Sequence, residues 1–128
     1  MTFKPKTASM VFYVSDIRRT EAFYNDTIGL GLERMEGAEP FWLMGKLAGG
    51  LELVYFEMPA KRGESPAIVF NVDEGGIDDI VAELAAKGVT IVTPVSEAPG
   101  GWSADFLDPD GFGLGLWQPE DKPRSLKS

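Results

Sequence analysis

Two side chains that supply much of the familiar catalytic machinery are absent from this chain, and Glu52 stands out among the candidates that remain. The 128 residues include no histidine and no cysteine, which excludes thiolate nucleophiles, imidazole bases, Ser-His-Asp triads and Cys/His zinc sites. Glu52 lies between Leu51 and Leu53 in an otherwise apolar segment. Its carboxylate could act as a general base or pair with a cationic ligand. It could equally be a solvated group, or a hydrogen-bond partner of Tyr13, with no function of its own.

Two other motifs are better explained as turns or loops than as sites. Asp108 and Asp110 look like paired carboxylates, but in Asp108-Pro109-Asp110-Gly111 they meet the residue preferences of a hairpin turn. Pro99-Gly100-Gly101 is not a phosphate-binding loop, because it precedes a strand and no Lys-Ser or Lys-Thr follows it. It could form a flexible lip over a cleft.

The composition is that of one ordinary globular domain, with 44% hydrophobic and 25% charged residues. A net charge of -8 argues against a nucleic-acid partner and mildly favours cationic or neutral ligands, although solubility alone explains such a charge. No stretch reaches membrane-spanning length, and the N-terminus lacks the apolar run of a signal peptide. We therefore expect a cytoplasmic protein with no membrane partner.

The order strand, helix, strand, strand, strand occurs twice along the chain. The hydrophobic pattern and the turn residues predict the following elements. In the first half they are a strand at 10–14, a helix from about 15 to 28 and strands at 30–35, 41–44 and 51–56; in the second half they are a strand at 67–72, a helix at 76–86 and strands at 89–92, 102–107 and 112–117. The halves can be aligned on Val11-Phe12-Tyr13-Val14 and Val69-Phe70-Asn71-Val72, which indicates an internal duplication.

The fold class predicted from this duplication is α+β, with two βαβββ modules whose curved mixed sheets surround a cleft. The modules span about 8–58 and 66–118 of a single domain, 1–118, and a polar link at 61–65 joins them. The charged segment 119–128 is expected to be a mobile tail.

Four segments together resemble the vicinal-oxygen-chelate superfamily, which includes glyoxalase I, extradiol dioxygenases, fosfomycin-resistance enzymes and bleomycin-binding proteins. They are Val14-Ser15-Asp16, Ala22-Phe23-Tyr24-Asn25, Ile28-Gly29-Leu30 and Phe106-Leu107-Asp108-Pro109-Asp110-Gly111. The resemblance extends to Gln118. It implies the fold of two βαβββ modules and, because members usually pair, a homodimer.

In the metal-dependent members, four ligands come from the start of the first strand and the centre of the last strand of each module. The resemblance places these positions at Ser9, Glu52, Ala67 and Gly115. Only Glu52 carries a good ligand, whereas a divalent metal usually takes three or more protein ligands. We therefore expect a member without a metal site or cofactor, in which glyoxalase, dioxygenase and fosfomycin chemistry are all in doubt.

Strand alternation predicts which side chains face the cleft. Ser9, Val11 and Tyr13 lie on one face of the first strand, and the residues between them lie on the face that packs against a helix. The same rule, with the aromatic residues of neighbouring strands and loops, predicts a mostly apolar pocket with a few polar groups. Its ligand-binding candidates are Glu52, Tyr13, Trp117, Phe56, Asn71, Trp102 and Trp42. For any single tryptophan, burial in a core or interface is the simpler explanation, and Trp117 is the strongest exception.

Two functions follow from this pocket, and whether the protein is an enzyme stays open. The first is a non-catalytic module that sequesters a small aromatic or cationic molecule, such as an antibiotic or a metabolite. The second is a metal-free isomerase or lyase in which Glu52 is the general base and Tyr13 or Asn71 polarises a carbonyl. A role mainly as a protein interaction partner has no specific support in the sequence.

The absence of ligands at three of the four positions generates a prediction about metal content. The purified protein should contain no stoichiometric transition metal, since Ser9, Ala67 and Gly115 cannot complete a site around Glu52. Elemental analysis would check this. About one equivalent of zinc, nickel, iron or manganese per chain would contradict it.

Overall fold

The computed structural model describes residues 3–59, 65–107, 109 and 111–127. Most of the predicted link at 61–65, and the turn residues Asp108 and Asp110, therefore lie outside the described residues. Contacts divide the chain into two compact units. The N-terminal unit comprises Ser9–Ala67, and the C-terminal unit comprises the residues up to Ala8 together with those from Ile68 onwards. Neither described helix has the length and apolarity needed to cross a membrane.

The predicted order of elements is confirmed in both halves. The elements of the first half are β1 (Ala8–Val14), α1 (Ile17–Ala22), a π-helical segment (Phe23–Ile28), β2 (Glu33–Met35), β3 (Trp42–Lys46) and β4 (Glu52–Glu57). Those of the second half are β5 (Ala67–Asn71), α2 (Ile77–Ala86), β6 (Ile91–Ala98), β7 (Gly101–Leu107) and β8 (Gly113–Pro119). The chain is thus an α+β protein of two βαβββ modules.

The sheet of the N-terminal unit has the strand order β2-β3-β4-β1. The first and last strands, β1 and β4, run parallel, with Ser9 opposite Glu52, whereas β3 is antiparallel to β4. Asp16 begins the helix as predicted, because its carboxylate accepts the N–H groups of Arg18 and Arg19 at 3.1 Å. The helix ends at Gly29, whose φ of 85° suits a residue without a side chain.

In the core of this unit, Tyr24 and Asn25 of the Ala22-Phe23-Tyr24-Asn25 segment each make a contact with the sheet side of the unit. Tyr24 packs on the fully buried Tyr55, with ring centroids 4.8 Å apart. Burial raises the pKa of the Tyr55 hydroxyl, and its contact with Tyr24 adds to the shift. The side chain of Asn25 accepts the N–H of Leu32 at 2.6 Å and donates to its C=O at 3.1 Å. The motif therefore ties the helix to the sheet.

The sheet of the C-terminal unit repeats this arrangement with the order β5-β8-β7-β6. Strands β5 and β8 run parallel, with Val69 opposite Gly115, and β7 is antiparallel to β8. One face of the sheet packs against α2 through a hydrophobic cluster centred on Val72, Ile77 and Leu116. The internal duplication is therefore visible in strand order as well as in sequence.

The start of α2 has no side-chain cap, and the segment after β8 supplies its hydrogen-bond acceptors instead. Gly76, the residue before the helix, donates its N–H to the C=O of Pro123 at 2.8 Å. The backbone N–H of Asp78 donates to the C=O of Arg124 at 2.9 Å. The hydroxyl of Ser125 and the N–H of Leu126 both donate to the Asp79 carboxylate at 2.7 Å.

The Leu126 amide and then the Ser125 hydroxyl hold the pKa of Asp79 below its ordinary value. These contacts join Ser125 and Leu126 to the start of α2, and the mobile tail at 119–128 stays a prediction from the sequence.

Gln118 connects this segment to the helix and the sheet. Its side chain is fully buried, although glutamine is usually exposed. Oε1 accepts the N–H of Ile77 at 3.0 Å, and Nε2 donates to the C=O of Lys122 at 2.9 Å. Both ends of the amide are therefore satisfied, as burial requires.

Replacing Gln118 by Leu should destabilise the protein by about 1 to 3 kcal/mol, because buried N–H and C=O groups lose their partners. Urea unfolding followed by circular dichroism would measure the change. Glu120→Ala is the control, since that side chain is exposed only two residues away. Equal stability of the Gln118→Leu variant and the parent would show that the amide is not needed.

Candidate functional site

The sheet face of the N-terminal unit that lies opposite α1 carries four of the predicted site residues. Met10, Phe12 and Val14 pack against the core of this unit, as alternation predicted. Ser9, Val11 and Tyr13 consequently lie on the other face of β1. The strand pairing extends this face to Glu52, Val54 and Phe56 on β4 and to Trp42 on β3.

Glu52 lies at one end of this face and is paired with Ser9. The Ser9 hydroxyl, which is only 5% exposed, donates to Oε1 of Glu52 at 2.5 Å. This bond uses one of the two carboxylate oxygens. It leaves Oε2 without a hydrogen-bond partner among the described residues. Lys46 stands opposite Glu52 in the pairing of β3 with β4.

Aromatic side chains form the other end of the face. The rings of Trp42 and Phe56 are stacked, with centroids 5.0 Å apart and an interplanar angle of 25°. Tyr13 lies directly opposite Phe56 on β1. Because Phe56 is four residues from Glu52, about 13 Å of strand separates the aromatic end from the carboxylate. A flat molecule of two or three rings could span most of this distance.

The face of the C-terminal unit opposite α2 carries two further predicted residues, Trp117 and Asn71. Trp117 donates its indole N–H to the C=O of Pro99 at 3.0 Å, so the Pro99-Gly100-Gly101 loop is bound to the ring. Asn71 donates its side-chain N–H to the Thr7 hydroxyl at 2.8 Å. That bond already uses a donor that the sequence assigned to a substrate carbonyl.

Trp102, the remaining predicted site residue, lies on the opposite face of its sheet. It is paired with the buried Gln118 and packs against the hydrophobic cluster next to α2. The guanidinium of Arg124 stands 4.4 Å from its ring centroid. Its neighbours are thus the core and the segment after β8, which is the simpler role for a tryptophan.

Asp105 is a candidate that sequence reasoning missed. It stands opposite Gly115 in the pairing of β7 with β8, on the same face as Trp117, and Thr93 hydrogen-bonds its carboxylate. Partial burial raises the pKa of Asp105, and the Thr93 bond opposes this only in part. Alternation could have found it, because Ser103 and Asp105 are the polar positions between Trp102, Ala104 and Phe106.

The positions that the resemblance assigns to metal ligands do not fit a metal. Ser9 uses its hydroxyl on Glu52, and neither Ala67 nor Gly115 has a side chain that can ligate. In the described ranges, no three His, Cys, Asp or Glu side chains are grouped closely enough to hold a metal ion. The donor set therefore supports no step through a bound metal.

Two surface cavities lie away from the carboxylates just described. One, of about 820 Å³, is bordered by the segment before β1, by α2 and by Leu126 and Lys127. The other, of about 690 Å³, is an open depression that Tyr13, Glu57 and Pro59 line. Neither cavity includes Glu52 or Asp105, and the chemistry of the carboxylates and aromatic rings is the better guide to a site.

Comparison with known proteins identifies the family. Residues 6–116 match the Glyoxalase/Bleomycin resistance protein/Dioxygenase superfamily. Because the match covers most of the 128 residues, the chain belongs to this superfamily. This confirms the resemblance on which the positions of the four metal ligands were based. No curated protein matches the sequence.

Solved structures agree with this fold. A protein from Bacillus halodurans C-125 is 19% identical, with a TM-score of 0.70 over 94% of this chain and 98% of the other. A superfamily member from Vibrio splendidus 12B01 is 18% identical, with a TM-score of 0.53 over 91% and 99%. A Mn(II)-bound glyoxalase from Novosphingobium aromaticivorans is 20% identical, with a TM-score of 0.59 over 98% of this chain and 42% of that one. At these identities the likeness shows the fold alone.

The raised pKa of Asp105 generates a prediction about stability and pH. The folded protein holds this proton at a pH where the unfolded chain, with an ordinary value of 3.8, releases it. Stability from this group is therefore present below pH 3.8 and is lost as the pH rises through the folded pKa. Asp105→Asn should unfold at a higher urea concentration than the parent at pH 7, and the difference should shrink in acid. A lower midpoint for the variant at pH 7 would contradict this.

Proposed function

We propose that the protein binds a small aromatic or cationic molecule on the face formed by Glu52, Tyr13, Phe56 and Trp42, without a metal and without chemical conversion. The arrangement of a carboxylate at one end and stacked rings at the other supports this proposal most directly. Membership of a superfamily that includes bleomycin resistance proteins supports binding as a function of this fold.

The chemistry of the face favours an aromatic cation over other small molecules. Ring contact with Trp42, Phe56 or Tyr13 contributes through burial, and cation–π attraction adds about 0.5 to 2 kcal/mol. Oε2 of Glu52, which has no hydrogen-bond partner within the described part of the chain, can accept a charge-assisted hydrogen bond. The net charge of -8 also raises the local concentration of cations.

The alternative is a metal-free isomerase or lyase that uses Glu52 as its general base. The hydrogen bond from Ser9 fixes the orientation of the carboxylate, as a base requires. The same bond occupies Oε1, one of the two oxygens that could take a proton from a substrate. Among the partners proposed for this reaction, Asn71 is held by Thr7. The observations thus favour binding over turnover.

Two further properties belong to the proposal. A homodimer would cover large hydrophobic side chains that are exposed in the chain, of which Phe112, Leu126 and Val92 are the most exposed. Cytoplasmic location stays a prediction from the sequence. Trp117 and Asn71 stay predicted ligand-binding residues of the C-terminal unit.

The binding proposal predicts a charge preference that depends on Glu52. 2-Naphthylmethylammonium should change the tryptophan fluorescence and bind more tightly than 2-naphthoate, which has a similar size and the opposite charge. In Glu52→Gln this preference should shrink several-fold, because the shape is kept and the charge is removed. Fluorescence titration of both ligands against both proteins would measure it.

The matched control is Glu33→Gln, which removes an exposed carboxylate from β2 of the same sheet. This variant should keep the preference of the parent. If Glu52→Gln discriminates as the parent does, Glu52 is not a ligand partner. Recovery of a chemically altered ligand from the parent, and of the unaltered ligand from Glu52→Gln, would favour the enzyme instead.

A further inference from the structure

Gly115 provides the room in which the Asp105 carboxylate lies. A Cβ built on Gly115 would stand 3.2 Å from Oδ1 of Asp105 and 3.3 Å from both the Ala104 carbonyl and the Val69 side chain. These distances are tighter than ordinary contacts, so a side chain at 115 would require the carboxylate or another of these neighbours to shift by a few tenths of an ångström. The absence of a side chain at Gly115 thus leaves space for the Asp105 carboxylate.

The Asp105 carboxylate has unused capacity to accept hydrogen bonds. A carboxylate can accept about four, and among the described residues Thr93 is the side chain that bonds it. The ion pairs of the described residues do not include Asp105. A half-buried carboxylate without a cation gains more from a new positive partner than an exposed one does.

Trp117 supplies a rigid aromatic surface beside this carboxylate. It lies two residues after Gly115 on β8 and opposite Ser103 on β7, so its ring is on the face that carries Asp105. The hydrogen bond to Pro99 fixes the ring, and a Cβ built on Gly100 would stand 3.5 Å from its edge. A ring that is already held loses little entropy when a ligand stacks on it.

We propose that Asp105 and Trp117 form a recognition point for a planar cation, an amidinium or guanidinium group attached to an aromatic or apolar molecule. Such a group presents two parallel N–H bonds, which match the two oxygens of a carboxylate. Its delocalised charge is also weakly hydrated and stacks well on an indole. This inference does not rest on the function proposed for Glu52, because Asp105 and Trp117 belong to the C-terminal unit.

Isothermal titration calorimetry of the full chain with benzamidine tests this proposal, with benzamide as its neutral analogue of equal shape. Benzamidine should bind the parent more tightly than benzamide. Asp105→Asn should weaken benzamidine binding about 10- to 100-fold, the range expected for hydrogen bonds to a charged group, and leave benzamide unchanged. Gly115→Ala, which crowds the carboxylate without removing it, should also weaken benzamidine.

The controls separate this site from the one at Glu52. Glu97→Gln removes an exposed carboxylate from β6, and it should bind benzamidine as the parent does. The proposal is overturned if Asp105→Asn, shown to be folded by circular dichroism, binds benzamidine as tightly as the parent. Weakening by Glu52→Gln alone would also overturn it and leave the Glu52 site standing. Weakening by Asp105→Asn alone supports it, whatever the naphthyl ligands show.

Discussion

The parallel pairing between the first and the last strand of each module determines where the candidate side chains lie. Ser9 faces Glu52 in one unit and Val69 faces Gly115 in the other, and alternation then assigns every second residue to the face away from the helix. A slip of one residue would turn Leu53 and its neighbours outward and bury the carboxylate. The hydrophobic clusters on the helix faces make such a slip costly, so the apolar cores hold the polar faces in register.

Local patterns were sufficient to predict the order of the helices and strands, but they predicted the ends of these elements less well. Asp16 as a helix cap and Gly29 as a helix end have short-range signals, and both were confirmed. Strand β6 continues to Ala98, beyond its predicted end at 92, because irregular pairing absorbs Pro94 within the strand. The contacts of Arg124, Ser125 and Leu126 with α2 could not be predicted from local sequence patterns, since their partners are 46 or 47 positions away.

The site was harder to predict, because alternation divides a strand into two faces without saying which face meets the core. For β1 and β4, the alternation of apolar residues predicted which face contacts the helix. Glu52 and Phe56 lie on the other face, as this alternation predicted. For β7 the choice depends on the pairing of Trp102 with Gln118, whose burial has no local signal. Trp102 was therefore predicted as a site residue because it is a large aromatic side chain. Asp105, which lies on the other face of β7, was not predicted.

The buried amide of Gln118 lies beyond the end of the superfamily match but within the segment that contacts α2. The region shared with the superfamily ends at residue 116, yet Gln118 and the residues that follow it provide acceptors for the first turn of α2. A fragment cut after residue 116 would lose Trp117, and it would leave the N–H groups of Ile77 and Asp78 without their acceptors, the Gln118 side chain and the Arg124 carbonyl. The segment that supplies hydrogen bonds to the second module therefore extends beyond the segment that matches the superfamily.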